Sequence, residues 1–266
     1  MIRRPAVTVG VTMKSLRLIQ AIGTASLLVA CTPAPQASPD GAAMAAGYSV
    51  KALAGGRLAS LPTGSLFIRI INFDQPVGHS FPSKTHVPGF DYVASGYQRL
   101  TIQDRPPIDI GPGESVFQPS IAHTHTNPGD GPNNWYFLAL WPASARAEPL
   151  VDPNVAKVVF QTQDLPADVV PQGSYVQTLR VAELEPGGRN LAHRYGGVDV
   201  QYVLEGSISV HMADHHAVTL RAGQGSYHLP GVGLQEHNVG GVRTRFLELL
   251  TTGDGRPFET SLDHTL

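Results

Sequence analysis

The 266-residue sequence holds one cysteine, Cys31. A lone thiol excludes an intramolecular disulfide, a four-cysteine zinc site and a CxxC redox pair. Charge is scarce as well: Asp, Glu, Lys and Arg make up 15% of the chain, and the formal net charge is −2. A nucleic-acid binder would show a basic face, which this balance argues against. No helix-turn-helix pattern stands out, and no amphipathic helical pattern runs beyond two turns. An apolar run from Leu18 to Ala30 is too short to span a bilayer. What the chain has in quantity is 28 glycines and 22 prolines, a content that predicts many turns and short strands.

The apolar run follows Arg3, Arg4, Lys14 and Arg17, the order of a secretory signal, and Met13 reads as the more natural start. Leu28-Val29-Ala30-Cys31 resembles the bacterial lipobox. That resemblance implies diacylglyceryl attachment to the Cys31 sulfur, cleavage before it and acylation of the new amino terminus. Two or more acyl chains, of the palmitate kind, anchor stably where one is marginal. Residues 1–30 are therefore expected to be a lipoprotein signal peptide, and 31–47 a Pro-, Ala-, Ser- and Gly-rich tether. The mature protein is expected to be exported and lipid-anchored in a bacterial envelope. Thr32 rather than Asp follows the cysteine, which suits the outer membrane of a Gram-negative cell.

The remainder repeats itself. Asp91-Tyr92-Val93-Ala94-Ser95-Gly96 corresponds to Gln201-Tyr202-Val203-Leu204-Glu205-Gly206 at an offset of 110. Pro76/Pro186 and Gly113/Gly223 share that offset, while Pro119/Pro230 and Asn127/Asn238 fall at 111. So long a period means two copies of a domain, not a solenoid. Branched and aromatic runs between turn residues predict antiparallel strands in each copy, with domains at 48–150 and 151–266.

Gly187-x5-His193-x-Tyr195-x3-Asp199-x6-Gly206 resembles the first cupin motif, and Gly223 through Pro230-Gly231 to His237-Asn238 resembles the second. The resemblance implies an all-β chain of two tandem cupin-like barrels (double-stranded β-helix or jelly roll), a bicupin. In metal-binding members two histidines and a glutamate of motif one, and a histidine of motif two, hold the ion. Carried onto the C-terminal copy, this set becomes His193, Asp199 and His237 or Gln235, with Tyr195 in place of the second histidine. Such donors suit Fe, Mn, Ni or Zn. Tyr195 is then a candidate proton donor, and Gln201 and Asp91 are pocket candidates on the shared strand face.

In the N-terminal copy the offset of 110 puts Ser83, Thr85 and Gly89 at the motif-one ligand positions. His86 is close by, and His123-Thr124-His125 stands where the motif-two histidine belongs, in loop-like surroundings. The expectation is therefore a lipid-anchored bicupin that binds or transforms a small molecule in its C-terminal barrel. As an enzyme it would be a metal-dependent dioxygenase, other oxidoreductase or lyase. The alternative is a metal-free ligand-binding or envelope-assembly module. Self-association as a homodimer through outer strands is a further expectation.

Overall fold

The computed structural model describes residues 47–266 except 167, 171 and 214. The proposed signal peptide, Cys31 and the tether up to residue 46 lie outside the described residues. The first half contributes β1 (Tyr48–Leu58), β2 (Leu66–Gln75), β3 (Gly89–Ser95), β4 (Gln98–Ile102), β5 (Ile108–Ile110), β6 (Ser115–Gln118), β7 (His123–Thr126) and β8 (Asn133–Pro142). After a 3-10 turn at Ala143–Ala147 the second half follows. It comprises β9 (Ala156–Gln161), β10 (Tyr175–Leu184), β11 (His193–Tyr195), β12 (Val198–Glu205), β13 (Ser207–Met212), β14 (His215–Arg221), β15 (Gly225–His228), β16 (Gly233–His237), β17 (Thr244–Gly253) and β18 (Glu259–Ser261).

These strands form four sheets. One barrel faces β6-β3-β8-β2-β9 against β5-β4-β7; the other faces β1-β10-β17-β12-β15 against β14-β13-β16-β11-β18. All pairings are antiparallel, and two of them cross between the halves: β1 pairs with β10 and β9 with β2. Each copy thus lends its first strand to the other's sheet, which ties the segments 48–150 and 151–266 together by backbone hydrogen bonds.

Strand alternation divides the apolar residues among three cores. On β2, Phe67, Ile71 and Phe73 point into the N-terminal barrel, while Leu66, Ile68 and Ile70 point away from it. The latter meet Phe90, Tyr92 and Leu138, and across the interface Leu179, Val200, Tyr202, Leu247 and Leu249. A strand buried on both faces reads as an apolar run, and LFIRIINF is such a run interrupted by the buried polar residues Arg69 and Asn72. Inside the C-terminal barrel the core is Ala182, Leu184, Val203, Phe246 and Leu250. Trp135, Tyr136 and Trp141, expected to pack between the barrels, split by the same alternation. Tyr136 lies at the interface, 5.7 Å from the Tyr202 ring, whereas both tryptophans face the N-terminal interior.

The duplication is visible in the turns. Gly96 and Gly206 take φ of 70° and 74° at equivalent hairpins, where a Cβ would lie 2.8 Å from Asn133 Cβ or 2.5 Å from Thr244 Oγ1. Only glycine combines that φ with that closeness. Asn127 and Asn238 are a second matched pair. The Asn127 amide donates to Gln75 O and Gly131 O at 3.0 and 2.9 Å, and the Asn238 amide to Leu184 O and Val242 O at 2.9 and 2.8 Å.

Candidate metal centre

Using the matched asparagines as anchors corrects the alignment of the two copies. Counting back four residues, Asn127 leads to His123 and Asn238 to Leu234. His123 bridges to Lys84, and Leu234 pairs with His193, so Lys84 corresponds to His193 and His86 to Tyr195. The offset here is 109 rather than 110, because Val87-Pro88 spans what Gly196-Gly197-Val198 spans in the other copy. His86 and His123 therefore occupy two of the motif's histidine positions. The uniform offset of 110 had pointed to Thr85 instead.

β7 presents His123 and His125, two residues apart, on one face, both buried. This is a strand, not the expected loop. His86 approaches from the segment before β3, and the ligand atoms of the three rings all lie within 4.8 Å of one another. His86 Nε2 and His123 Nε2 are 3.0 Å apart. On their far sides, His86 Nδ1 is 2.9 Å from Val87 O and His123 Nδ1 is 2.6 Å from Ile121 O. A carbonyl only accepts, so each Nδ1 carries the hydrogen and each Nε2 presents a lone pair. Two lone pairs therefore face each other at contact distance. Two ligands about 2.1 Å from one ion at a right angle lie about 3.0 Å apart, so a shared cation matches this spacing.

The third ring is oriented by a polar pair behind it. His125 Nδ1 lies 2.8 Å from the Gln98 amide and 3.5 Å from Asp91 Oδ2. With the Gln98 nitrogen on His125, Gln98 Oε1 and both Asp91 oxygens are buried without partners. Amide O and N are assigned from their partners. The orientation that satisfies the group has Gln98 Oε1 accepting from His125 Nδ1–H and its NH2 turned to Asp91. That leaves His125 Nε2 free as a ligand, with an outer-shell acceptor of the kind that fixes metal-bound imidazoles. Gln118 is a further neighbour: its amide is 3.2 Å from His86 Nε2, and its Oε1 has no partner.

Burial holds all three rings uncharged. It pulls His86, with help from His123, down to about 4, lowers His123, and takes His125 well below the usual imidazole value. Burial likewise pushes the Asp91 carboxyl well up. The glutamate position of motif one is Gly89, the partner of Asp199 in the repeat. A Cβ there would lie 2.6 Å from Leu138 O and from the Phe137 ring, so the aromatic ring fills the volume of the missing carboxylate. The three rings open onto a cavity of about 290 Å³ walled by Phe73, Phe81, Trp135, Phe137 and Trp141, with Arg69 and Lys84 also on its lining.

In the C-terminal barrel polar side chains occupy the corresponding interior. Arg180 and Glu248 project into it, and the Arg180 Nη2 to Glu248 Oε2 distance is 2.9 Å. Tyr195 OH donates to Glu248 at 3.0 Å and accepts from Arg180 at 2.8 Å, while Arg180 Nη1 reaches Glu259 at 3.1 Å. By strand register the corresponding N-terminal residues are Ile71 and Phe137, which are apolar and line the cavity instead of bridging it with an ion pair.

The residues expected to form the C-terminal site are dispersed. His193 is buried, its Nδ1 donating to Leu191 O at 2.9 Å and its Nε2 unpartnered. Asp199 pairs with His228 at 3.0 Å. Gln235 is spent on backbone, donating to Asn190 O and accepting from Leu266 N. His237 shares the Gln235 face of β16, whereas Leu234 and Glu236 point inward. A one-residue step on a strand reverses the side chain. Gln201 donates to Glu236, which also accepts from Asn190. Among the described residues His193, Asp199 and His237 do not gather as a cluster; His86, His123 and His125 do. Sequence reasoning missed Arg180, Glu236 and Glu248. Glu236 could have been found by counting from Asn238, since it is the counterpart of His125.

The fold and the site together define a double-barrel cupin architecture with one histidine cluster. No protein-family model matches the chain, and no curated protein sequence matches it. Solved structures do. Oxalate decarboxylase of Bacillus subtilis, described for its Mn(II) centres, superposes with a TM-score of 0.54 at 16% identity, over 73% of this chain and 71% of that one. The formate complex of Lactobacillus farciminis oxalate decarboxylase gives 0.53 at 11% identity, over 77% and 88%. AerE from Microcystis aeruginosa gives 0.50 at 15%, over 75% and 98%. At these identities the likeness establishes the cupin fold.

Proposed function

We propose that this chain is a metal-dependent cupin acting on a small molecule in its N-terminal barrel, carried on a lipid anchor at Cys31. The reading rests above all on the facing Nε2 lone pairs of His86 and His123, 3.0 Å apart and each fixed by a backbone acceptor. His86, His123 and His125 would hold the ion, and an all-imidazole set suits Fe, Mn, Ni or Zn. When bound, such an ion supplies Lewis acidity or one-electron redox chemistry. The chain supplies the rest: Val87 O, Ile121 O and Gln98 orient the rings, and the aromatic walls exclude water from the cavity. That the solved neighbours include a manganese enzyme supports a metal-dependent reading of the same fold. The Arg180–Glu248–Tyr195 network favours a structural role for the C-terminal barrel, with Tyr195 as part of its core.

The test is the metal content of the full chain purified without chelator or metal resin. About one equivalent is expected, lost in His123→Ala and retained in His193→Ala. No metal after reconstitution, or the reverse pattern in the variants, overturns the reading. For the anchor, Cys31→Ser is expected to move the chain from the membrane to the soluble fraction; unchanged membrane association removes that part.

A further inference from the structure

Arg69 sits on β2 inside the N-terminal barrel, 3% exposed, and lines the same cavity as the three imidazoles. Its Nε donates to Gln161 Oε1 at 2.8 Å and its Nη2 to Arg146 O at 2.7 Å. Nη1 makes no hydrogen bond, and among the described residues no carboxylate lies within ion-pair distance of this guanidinium. The group is fixed by the Phe67 and Trp141 rings, 4.9 and 5.4 Å from its carbon. Its charged neighbours are Arg146, whose own partner is Asp164 at 2.5 Å, and Glu148, which acts on it from beyond ion-pair distance. A buried cation without a directly paired counter-ion is costly, and in native proteins such groups are paired.

The charges around the cavity point the same way. Lys84 adds a second cation to the lining and Glu148 one anion, while the three ligand rings are neutral. Because Gly89 replaces the motif carboxylate, a divalent ion on those rings would keep its full charge. An occupant must then bring negative charge to Arg69 and an apolar body to the aromatic walls. A cavity of about 290 Å³ has room for a small organic molecule.

We propose that Arg69 is the anchor for the carboxylate of a small apolar acid, which makes such acids the substrate class of this site. The proposal rests on the metal-site reading for its catalytic sense, but the anion contact itself needs no metal. Arg69 Nη1 would donate to one carboxylate oxygen, with the planar guanidinium held in place by Gln161 and Arg146 O, and the body of the acid would lie against Phe137 and Trp141.

The experiment is calorimetric titration of the full chain with benzoate and with its uncharged isostere benzamide, after chelation and again after metal loading. Benzoate is expected to bind the chelated chain about ten- to a hundred-fold more tightly than benzamide, the range of a hydrogen bond to a charged group. That preference is expected to vanish in Arg69→Met and return in part in Arg69→Lys. Equal binding of the two probes, no benzoate binding, or wild-type benzoate affinity in both Arg69 variants overturns the proposal. Should Arg69→Met not fold, the probe comparison in the wild type and the Lys variant decide. If benzoate binds through Arg69 while no metal is ever taken up, the metal reading falls and the anchor stands. If metal loads on the histidines but benzoate is indifferent to Arg69, the anchor falls alone.

Discussion

The half-buried His86 and the buried His123 and His125 impose a pH dependence on the metal-free protein that can be worked out for His86. Burial and the neighbouring His123 take its folded-state value down to about 4, against 6.5 when unperturbed. Above about pH 6.5 the ring is neutral in both folded and unfolded chains, and its contribution to stability is fully present. As pH falls the unfolded chain takes up a proton first, and the folded chain follows only near 4. Stability is therefore lost between about 6.5 and about 4, and no more is lost below. The gap is worth up to about 3 kcal/mol at about 1.4 kcal/mol per pH unit. His123 and His125 act in the same direction, since burial lowers both. Urea unfolding of chelated protein at several values between pH 7.5 and 4 measures this directly, with His86→Phe as the reference. The variant is expected to lose less stability over that window than the wild type. Equal slopes in wild type and variant would refute the claim that His86 is a neutral, desolvated ring.

Other outcomes follow from the C-terminal core and from Gly89. Arg180→Met strands the buried Glu248 and is expected to cost about 3–5 kcal/mol at pH 8 in chemical unfolding, with Arg180→Met/Glu248→Leu recovering most of it. Burial already raises the Glu248 carboxyl to about 7 against the pull of Arg180. Its folded-state proton affinity exceeds the unfolded one, so the single variant's deficit should shrink as pH is lowered toward 5; a deficit under about 1 kcal/mol at pH 8 would contradict the network's importance. Gly89→Ala forces a Cβ onto Leu138 O and the Phe137 ring and is expected to cost about 1–3 kcal/mol, while a neutral substitution would mean that Phe137 does not fill the carboxylate position.

The sequence made the architecture legible because duplication and turn chemistry leave local marks: Gly96 and Gly206 need positive φ, and Asn127 and Asn238 tie the same turn in both copies. The exchange of β1 and β9 left no such mark, since an antiparallel strand looks the same whichever sheet accepts it. The site was harder to read for a more specific reason. A one-residue difference between Val87-Pro88 and Gly196-Gly197-Val198 displaced His86 from the position a uniform offset assigns. In the other barrel, counting from Pro230 leads to Gln235, with His237 on the same face two residues on, and that face points away from Leu234 and Glu236. The better-conforming motif around His193 thus drew attention to a barrel whose interior Arg180 and Glu248 fill. Neither residue belongs to the motif, and only register places them opposite Tyr195.

Anomalous diffraction from crystals of the metal-loaded full chain, recorded at the absorption edge of the ion it takes up, tests the central claim most directly. The account predicts one peak about 2.0–2.2 Å from the Nε2 atoms of His86, His123 and His125, and none in the C-terminal barrel. A peak beside His193 or Asp199, or no peak between His86 and His123, would contradict it.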